Sequence, residues 1–88
     1  MEIQHEQMKF YIGSLEDPKA ELDYRLEDDV IDAYHTLVKP ELEGQGIAGQ
    51  LFDELYKFAK ENNYKIKGTC SYVAKKLESP EIEESIKY

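Results

Sequence analysis

Val38-Lys39-Pro40-Glu41-Leu42-Glu43-Gly44-Gln45-Gly46-Ile47-Ala48-Gly49 is the stretch whose reading decides the fold. Pro40 has no amide to give to a sheet ladder, so the strand that precedes it stops near Lys39. Three Gly and one Ala then fall within residues 44–49. Gly costs about 0.5–1 kcal/mol against Ala in helical conformation, so such a run at a helix start calls for a reason. One reason is access. Without side chains in the way an anion approaches the backbone closely, and the first amides of the following helix, with its dipole, face it. A pyrophosphate fits that geometry. The other reason is an ordinary tight strand-to-helix turn, and the run taken alone is compatible with both. It is neither a Walker loop, which continues Gly-Lys-Ser/Thr, nor a dinucleotide fingerprint, which needs a third Gly and an acidic residue on a following strand.

Downstream, Ile47, Leu51, Leu55, Phe58 and Ala59 recur at spacings of three and four with Phe52 beside them, while Asp53, Glu54, Lys57, Lys60 and Glu61 take the other side. This predicts a helix from Gly46 to about Asn62, ended by Asn62-Asn63 because Asn tolerates a left-handed conformation. Upstream, Val30–Val38 is rich in β-branched and aromatic residues with apolar groups on both sides from Ala33 onward, which predicts a central strand covered on both faces. Ala20–Glu27 alternates with period two and Asp28-Asp29 makes the turn between these strands. Met8, Phe10 and Ile12 share one side of a first strand, and Glu16-Asp17-Pro18-Lys19 supplies the next turn. After the helix, Tyr64–Thr69 is a short strand. Ser71 is positioned to cap a short helix over Tyr72–Leu77, and Ser79-Pro80 to open a last helix with Ile82 and Ile86 as its buried stripe.

The predicted class is therefore α+β, with an α/β-like half. A three-stranded antiparallel meander leads into a long helix, a fourth strand returns parallel to the third, and short helices follow. This connection brings the open ends of the parallel strands and the start of the long helix to one edge, where open sheets of this kind bind ligands. The first strand leaves a free edge able to pair with a second copy.

The chain has 88 residues, room for one domain spanning 1–88. A domain of this size buries only about 60–65% of the surface its unfolded chain exposes, so the core is thin. Apolar residues make up 41% of the chain, with seven Tyr and three Phe, too many for a disordered segment. The formal net charge is −8, from 19 acidic and 11 basic residues. Such a surface repels phosphate backbones, which argues against nucleic acid, and attracts an amine, a polyamine or a lysine-rich tail. One Cys forms no internal disulfide, no stretch reaches the length of a bilayer span, and the first residues lack the pattern of a signal peptide, so a soluble cytoplasmic protein is expected. Two His and one Cys at these spacings predict no metal site.

In context the glycine turn resembles motif A of the GNAT acetyltransferase superfamily, written Q/R-x-x-G-x-G/A after a strand ending V-x-P. Gly46 and Ala48 fill the G-x-G/A positions, while Glu43 stands where Gln or Arg is usual. The longer run His35-Thr36-x-Val38-x-Pro40-Glu41-Leu42-x-Gly44-Gln45-Gly46-Ile47, with Cys70-Ser71-Tyr72 further on, is similar to the minimal stand-alone members, which lack the N-terminal helices of the full fold. The resemblance covers about residues 8–88. It implies a truncated GNAT fold that binds coenzyme A or acetyl-CoA as co-substrate and passes the acetyl group to an amine. The backbone of Gly44, Gln45, Gly46, Ile47, Ala48 and Gly49 would hold the pyrophosphate, and the pantetheine arm would enter between the third and fourth strands, pairing near Leu37 and Val38. Cys70 would be the catalytic residue.

A lone Cys is often a small buried hydrophobe, but a thiol at a helix start meets positive potential, which favours thiolate. Cys70 can attack the thioester, or it can protonate the departing thiolate while the amine attacks directly; the sequence leaves both open. His35 is either a satisfied core residue or the group that takes a proton from the acceptor, and a Cys70–His35 pair is open because the strands are neighbours. Tyr72 suits packing or proton donation, and Lys75 and Lys76 suit a solvated helix face or a phosphate. Two other readings stand beside the enzyme: a module that binds coenzyme A or an acyl-CoA without turnover, and a protein-interaction domain using its exposed sheet face.

Overall fold

The computed structural model describes residues 2–88. Among them are five strands in the order β1-β2-β3-β4-β5 across one sheet. They are β1 (Gln4–Glu6), β2 (Lys9–Gly13), β3 (Pro18–Glu27), β4 (Val30–Val38) and β5 (Lys65–Gly68). The first four pair antiparallel, and β5 pairs parallel to β4. Helix α1 (Ile47–Asn62) connects β4 to β5, and α2 (Ser71–Leu77) follows β5. The α+β class and the parallel fourth-to-third pairing read from the sequence are observed, with one strand more.

That strand is β1. Gln7 and Met8 both take positive φ, 49° and 60°, and turn the chain into β2 as a two-residue hairpin loop. Met8 is thus a turn residue, 48% exposed, and not the first core residue of a strand. What holds so short and polar a strand is its side chains. The His5 ring stacks on Phe10 with centroids 3.9 Å apart. Its Nε2 lies 2.6 Å from the Tyr24 hydroxyl. Tyr11 donates to Glu6 at 2.7 Å. Asp28 and Asp29, also at positive φ (51° and 64°), make the equivalent turn between β3 and β4, as their identity predicts.

One face of the sheet carries the core. Leu22, Ile31, Ala33 and Ile66 meet Leu51, Leu55 and Ala59 of α1, and Val73 of α2 joins the same cluster. The apolar stripe of α1 is the one its periodicity predicted, and Asn63 ends the helix at φ 59°. The opposite face of β4 is not covered: Tyr34 and Leu37 each remain 39% exposed and His35 is exposed. The apolar residues on both sides of β4 therefore do not mark a strand buried on both faces.

Two expectations for the C-terminal third are corrected. Cys70, not Ser71, is the residue before α2, because its carbonyl already accepts the Ala74 amide at 2.9 Å. No α-helix starts at Ser79-Pro80. The Ser79 hydroxyl accepts the Glu81 amide at 3.3 Å and closes a local turn. A single 3-10 turn over Glu84–Ile86 follows. Ile82 and Ile86 are buried all the same, and Lys87 bridges to Ile66 along the outer edge of β5.

Candidate active site

The site begins with a parting of two strands. β4 and β5 pair only from Val30↔Lys65 to Ala33↔Gly68. The Ala33 carbonyl then accepts both the Thr69 and the Cys70 amides, at 3.0 and 2.9 Å, and β5 turns away into α2. β4 runs on to Val38 with a strand partner on its β3 side alone. The backbone edge of Leu37 and Val38, expected to meet a ligand, faces this split.

Beyond the split lies the glycine turn. Gly44 and Gly46 sit at φ +82° and +70°, which L side chains rarely adopt, so the turn itself requires glycine at both. No side chain caps α1 and no acidic side chain lies in its first turn. The amides of its first residues thus have no protein partner at the end where the helix dipole is positive. A cavity of about 280 Å³ opens here, lined by Val38, Leu42, Glu43, Gly44, Gly46, Ile47, Ala48, Gly49 and Tyr72. Six of the eight residues predicted to hold a cofactor line it; Gln45 and Leu37 do not. Tyr72 reaches over from α2, its hydroxyl 3.7 Å from where a side chain on Gly49 would begin. Glu43, the departure from the motif, borders the cavity but is solvent-exposed. The residues present therefore fit an extended anionic ligand: bare amides, positive-φ glycines and an open strand edge leading inward.

Cys70 stands at the start of α2. Its sulphur lies 3.4 Å from the Thr36 hydroxyl. Partial burial pushes the thiol up, but Thr36, through its hydroxyl and amide, and the amides of Val73 and Tyr72 outweigh it, and the Cys70 pKa lies below the ordinary thiol value. The α2 amides point at the sulphur without closing a capping hydrogen bond. Thr36 was not singled out from the sequence; a Thr in a β-branched strand carries no mark of a thiol partner.

His35 is not that partner. Asp23 pairs with His35 while Tyr24 pairs with Ala33, so Tyr34 is an extra residue on β4. This bulge turns the strand by one step. Ala33 and Thr36 share the helix side with Leu22 and Tyr24, and His35 shares the outer side with Asp23. There its ring nitrogen lies within 4.8 Å of the carboxylates of Glu21 and Asp23. The charge of this pair is met by Lys9, whose ammonium sits 2.5 Å from Glu21 and 3.1 Å from Asp23. Burial raises the Asp23 carboxyl above its ordinary value. Burial also pushes Glu21 up, but Lys9 and the hydrogen bond with Asp23 hold it below. The structure thus brings Cys70 to Thr36, Tyr72 to the glycine turn, and His35 to an acidic cluster across the sheet.

The sequence profile of the GCN5-related N-acetyl-transferase family matches residues 9–85. The chain belongs to this family. The acetyltransferase is similar to a GCN5-like protein from Staphylococcus aureus solved in solution by NMR, with 35% identity and a TM-score of 0.81 over 99% of this chain and 87% of that one. It also resembles the crystal structure of the ribosomal-protein-S18-alanine N-acetyltransferase from Escherichia coli at a TM-score of 0.62, covering 78% of this chain and 47% of that one. At 15% identity that second likeness is one of fold alone. No curated protein sequence matches the acetyltransferase. Among its described residues no helix is long and apolar enough to cross a membrane.

Proposed function

We propose that this acetyltransferase takes the acetyl group from acetyl-CoA and delivers it to a cationic amine by way of Cys70. The observation that carries the reading is the place of the Cys70 thiol, 3.4 Å from Thr36 where β5 parts from β4 and two residues before Tyr72, which lines the cavity at the bare helix amides. The Gly44–Gly49 turn and the first amides of α1 hold the diphosphate, and the open backbone edge of Leu37 and Val38 aligns the pantetheine arm. The thioester supplies an acyl carbon that accepts a nucleophile and a thiolate that departs.

Thr36 and the start of α2 lower the Cys70 thiol from its ordinary value, which raises its share of thiolate. The sulphur of Cys70 bonds to the acyl carbon while the bond to the coenzyme sulphur breaks. In the second half the neutral acceptor nitrogen bonds to the same carbon, the Cys70–carbon bond breaks, and the nitrogen gives its surplus proton to solvent, returning the thiolate. The acceptor arrives protonated and must lose a proton first. His35, exposed on the outer face of the sheet beside Glu21 and Asp23, takes it before the amine enters the split. The net charge of −8 favours encounter with a positively charged acceptor.

Intact-protein mass spectrometry after exposure to acetyl-CoA tests this. The expected result is one added acetyl group on the unaltered chain, none on Cys70→Ala, and loss of the added group on mixing with an amine such as spermidine. Turnover of amine by Cys70→Ala at the unaltered rate would exclude the covalent route, and coenzyme binding without turnover of any amine would leave a binding module.

A further inference from the structure

The cavity at the glycine turn does not end at Tyr72. A second, larger cavity of about 650 Å³ shares that ring and continues along α2, lined by Tyr72, Lys75, Lys76, Glu78 and Ser79. Tyr72 is common to both. Lys76 lines the second. Its ammonium lies 3.8 Å from where a side chain on Gly49 would begin, so it faces the first turn of α1. It also lies 5.9 Å from the centre of the Tyr72 ring. No carboxylate among the described residues pairs with it or with Lys75, although acidic residues outnumber basic ones 19 to 11. Lys9, Lys19, Lys39, Lys60 and Lys87 are each claimed by a carboxylate.

We propose that Lys76 is a phosphate-binding residue that closes over the diphosphate from the α2 side. This rests on the coenzyme reading above and adds to it a charged group from a second helix. It also answers the acidic Glu43 at the rim. Bare amides supply directed donors but only partial charge, while an ammonium supplies a full one, which a site bordered by a carboxylate needs to hold a dianion. Tyr72 places the ammonium by letting its stem lie along the ring.

Isothermal titration of CoA and 3′-dephospho-CoA into the full chain and its variants tests the proposal. Lys76→Gln should weaken both ligands by about tenfold, the scale of one lost contact between charged groups. The ratio between the two ligands should stay unchanged, because each carries the diphosphate. Lys76→Arg should retain most of the affinity, and Lys57→Gln, exposed on α1, should change nothing. Melting curves of each variant establish that it is folded. Unaltered binding by Lys76→Gln would overturn the proposal, and so would a loss confined to CoA, which would move the contact to the 3′-phosphate. Failure of the unaltered chain to bind either ligand would instead overturn the coenzyme reading on which it stands.

Discussion

Thr36 is the residue on which the reactivity of the thiol turns. Burial alone would raise the Cys70 thiol; the hydroxyl at 3.4 Å and the neighbouring amides bring it below its ordinary value. Replacing Thr36 by Val removes the hydroxyl and retains the shape. The expected outcome is a thiol that titrates at higher pH, read as a rightward shift in the pH profile of alkylation by iodoacetamide, with Thr36→Ser restoring the original profile. At neutral pH the thiolate fraction, and with it the alkylation rate, should fall. A profile unmoved by Thr36→Val would mean that the α2 amides act alone. None of this was readable beforehand, because sequence alternation across β4 predicts the side of each residue only if no residue is extra. Cys70 could be singled out by its place between a strand and a helix, but its partner could not.

At the scale of elements, two attachments decide the architecture. α2 lies so close to the end of β5 that a side chain on Gly68 would come within 2.6 Å of the Ala74 amide. Gly68→Ala should therefore push α2 outward and cost about 1–3 kcal/mol, seen as a lower denaturant midpoint at unchanged slope. β1 is held by His5 against Phe10 and Tyr24. Burial depresses the His5 pKa, with Glu54 opposing more weakly. A histidine depressed in the folded state contributes stability above its unfolded pKa of about 6.5, and that contribution is lost as pH falls through the folded value. Thermal melts should thus show a larger drop between pH 7.5 and 5.5 for the native chain than for His5→Phe. The long elements were legible because period and length agree: α1 has five buried residues on one stripe, and β3 and β4 meet at an acidic turn. β1 was not, since Gln4-His5-Glu6 offers no apolar pattern and Gln7-Met8 no turn chemistry. The C-terminal segment misled for the opposite reason. Ile82 and Ile86 have helical spacing, yet Tyr56 and Lys60 of α1 hold Glu83 and fix a different path to the same burial.

For the whole molecule, the separation of functions across the sheet matters more than any single contact. The helices, the glycine turn and Cys70 occupy one side, while His35, Glu21 and Asp23 occupy the other. On the proposed reading, a cationic acceptor is drawn in by the field of the whole protein. Raising ionic strength from 20 to 300 mM, a span across which the Debye length falls several-fold, should raise KM for a polyamine and leave KM for a neutral amine nearly unchanged. Equal response by both amines would mean that the net charge plays no part in capture.

The extra residue at Tyr34 makes this two-sidedness a matter of parity. A β4 that ran regularly through Tyr34, with no residue removed, would change no chemistry in the list of side chains. It would nevertheless exchange the sides of everything from His35 to Val38, aiming the imidazole at the sulphur and sending the threonine hydroxyl out to solvent. Loss of one residue is thus tolerated at the loops and at the bulge itself, while anywhere else along β4 it would reverse the sides of the residues that follow.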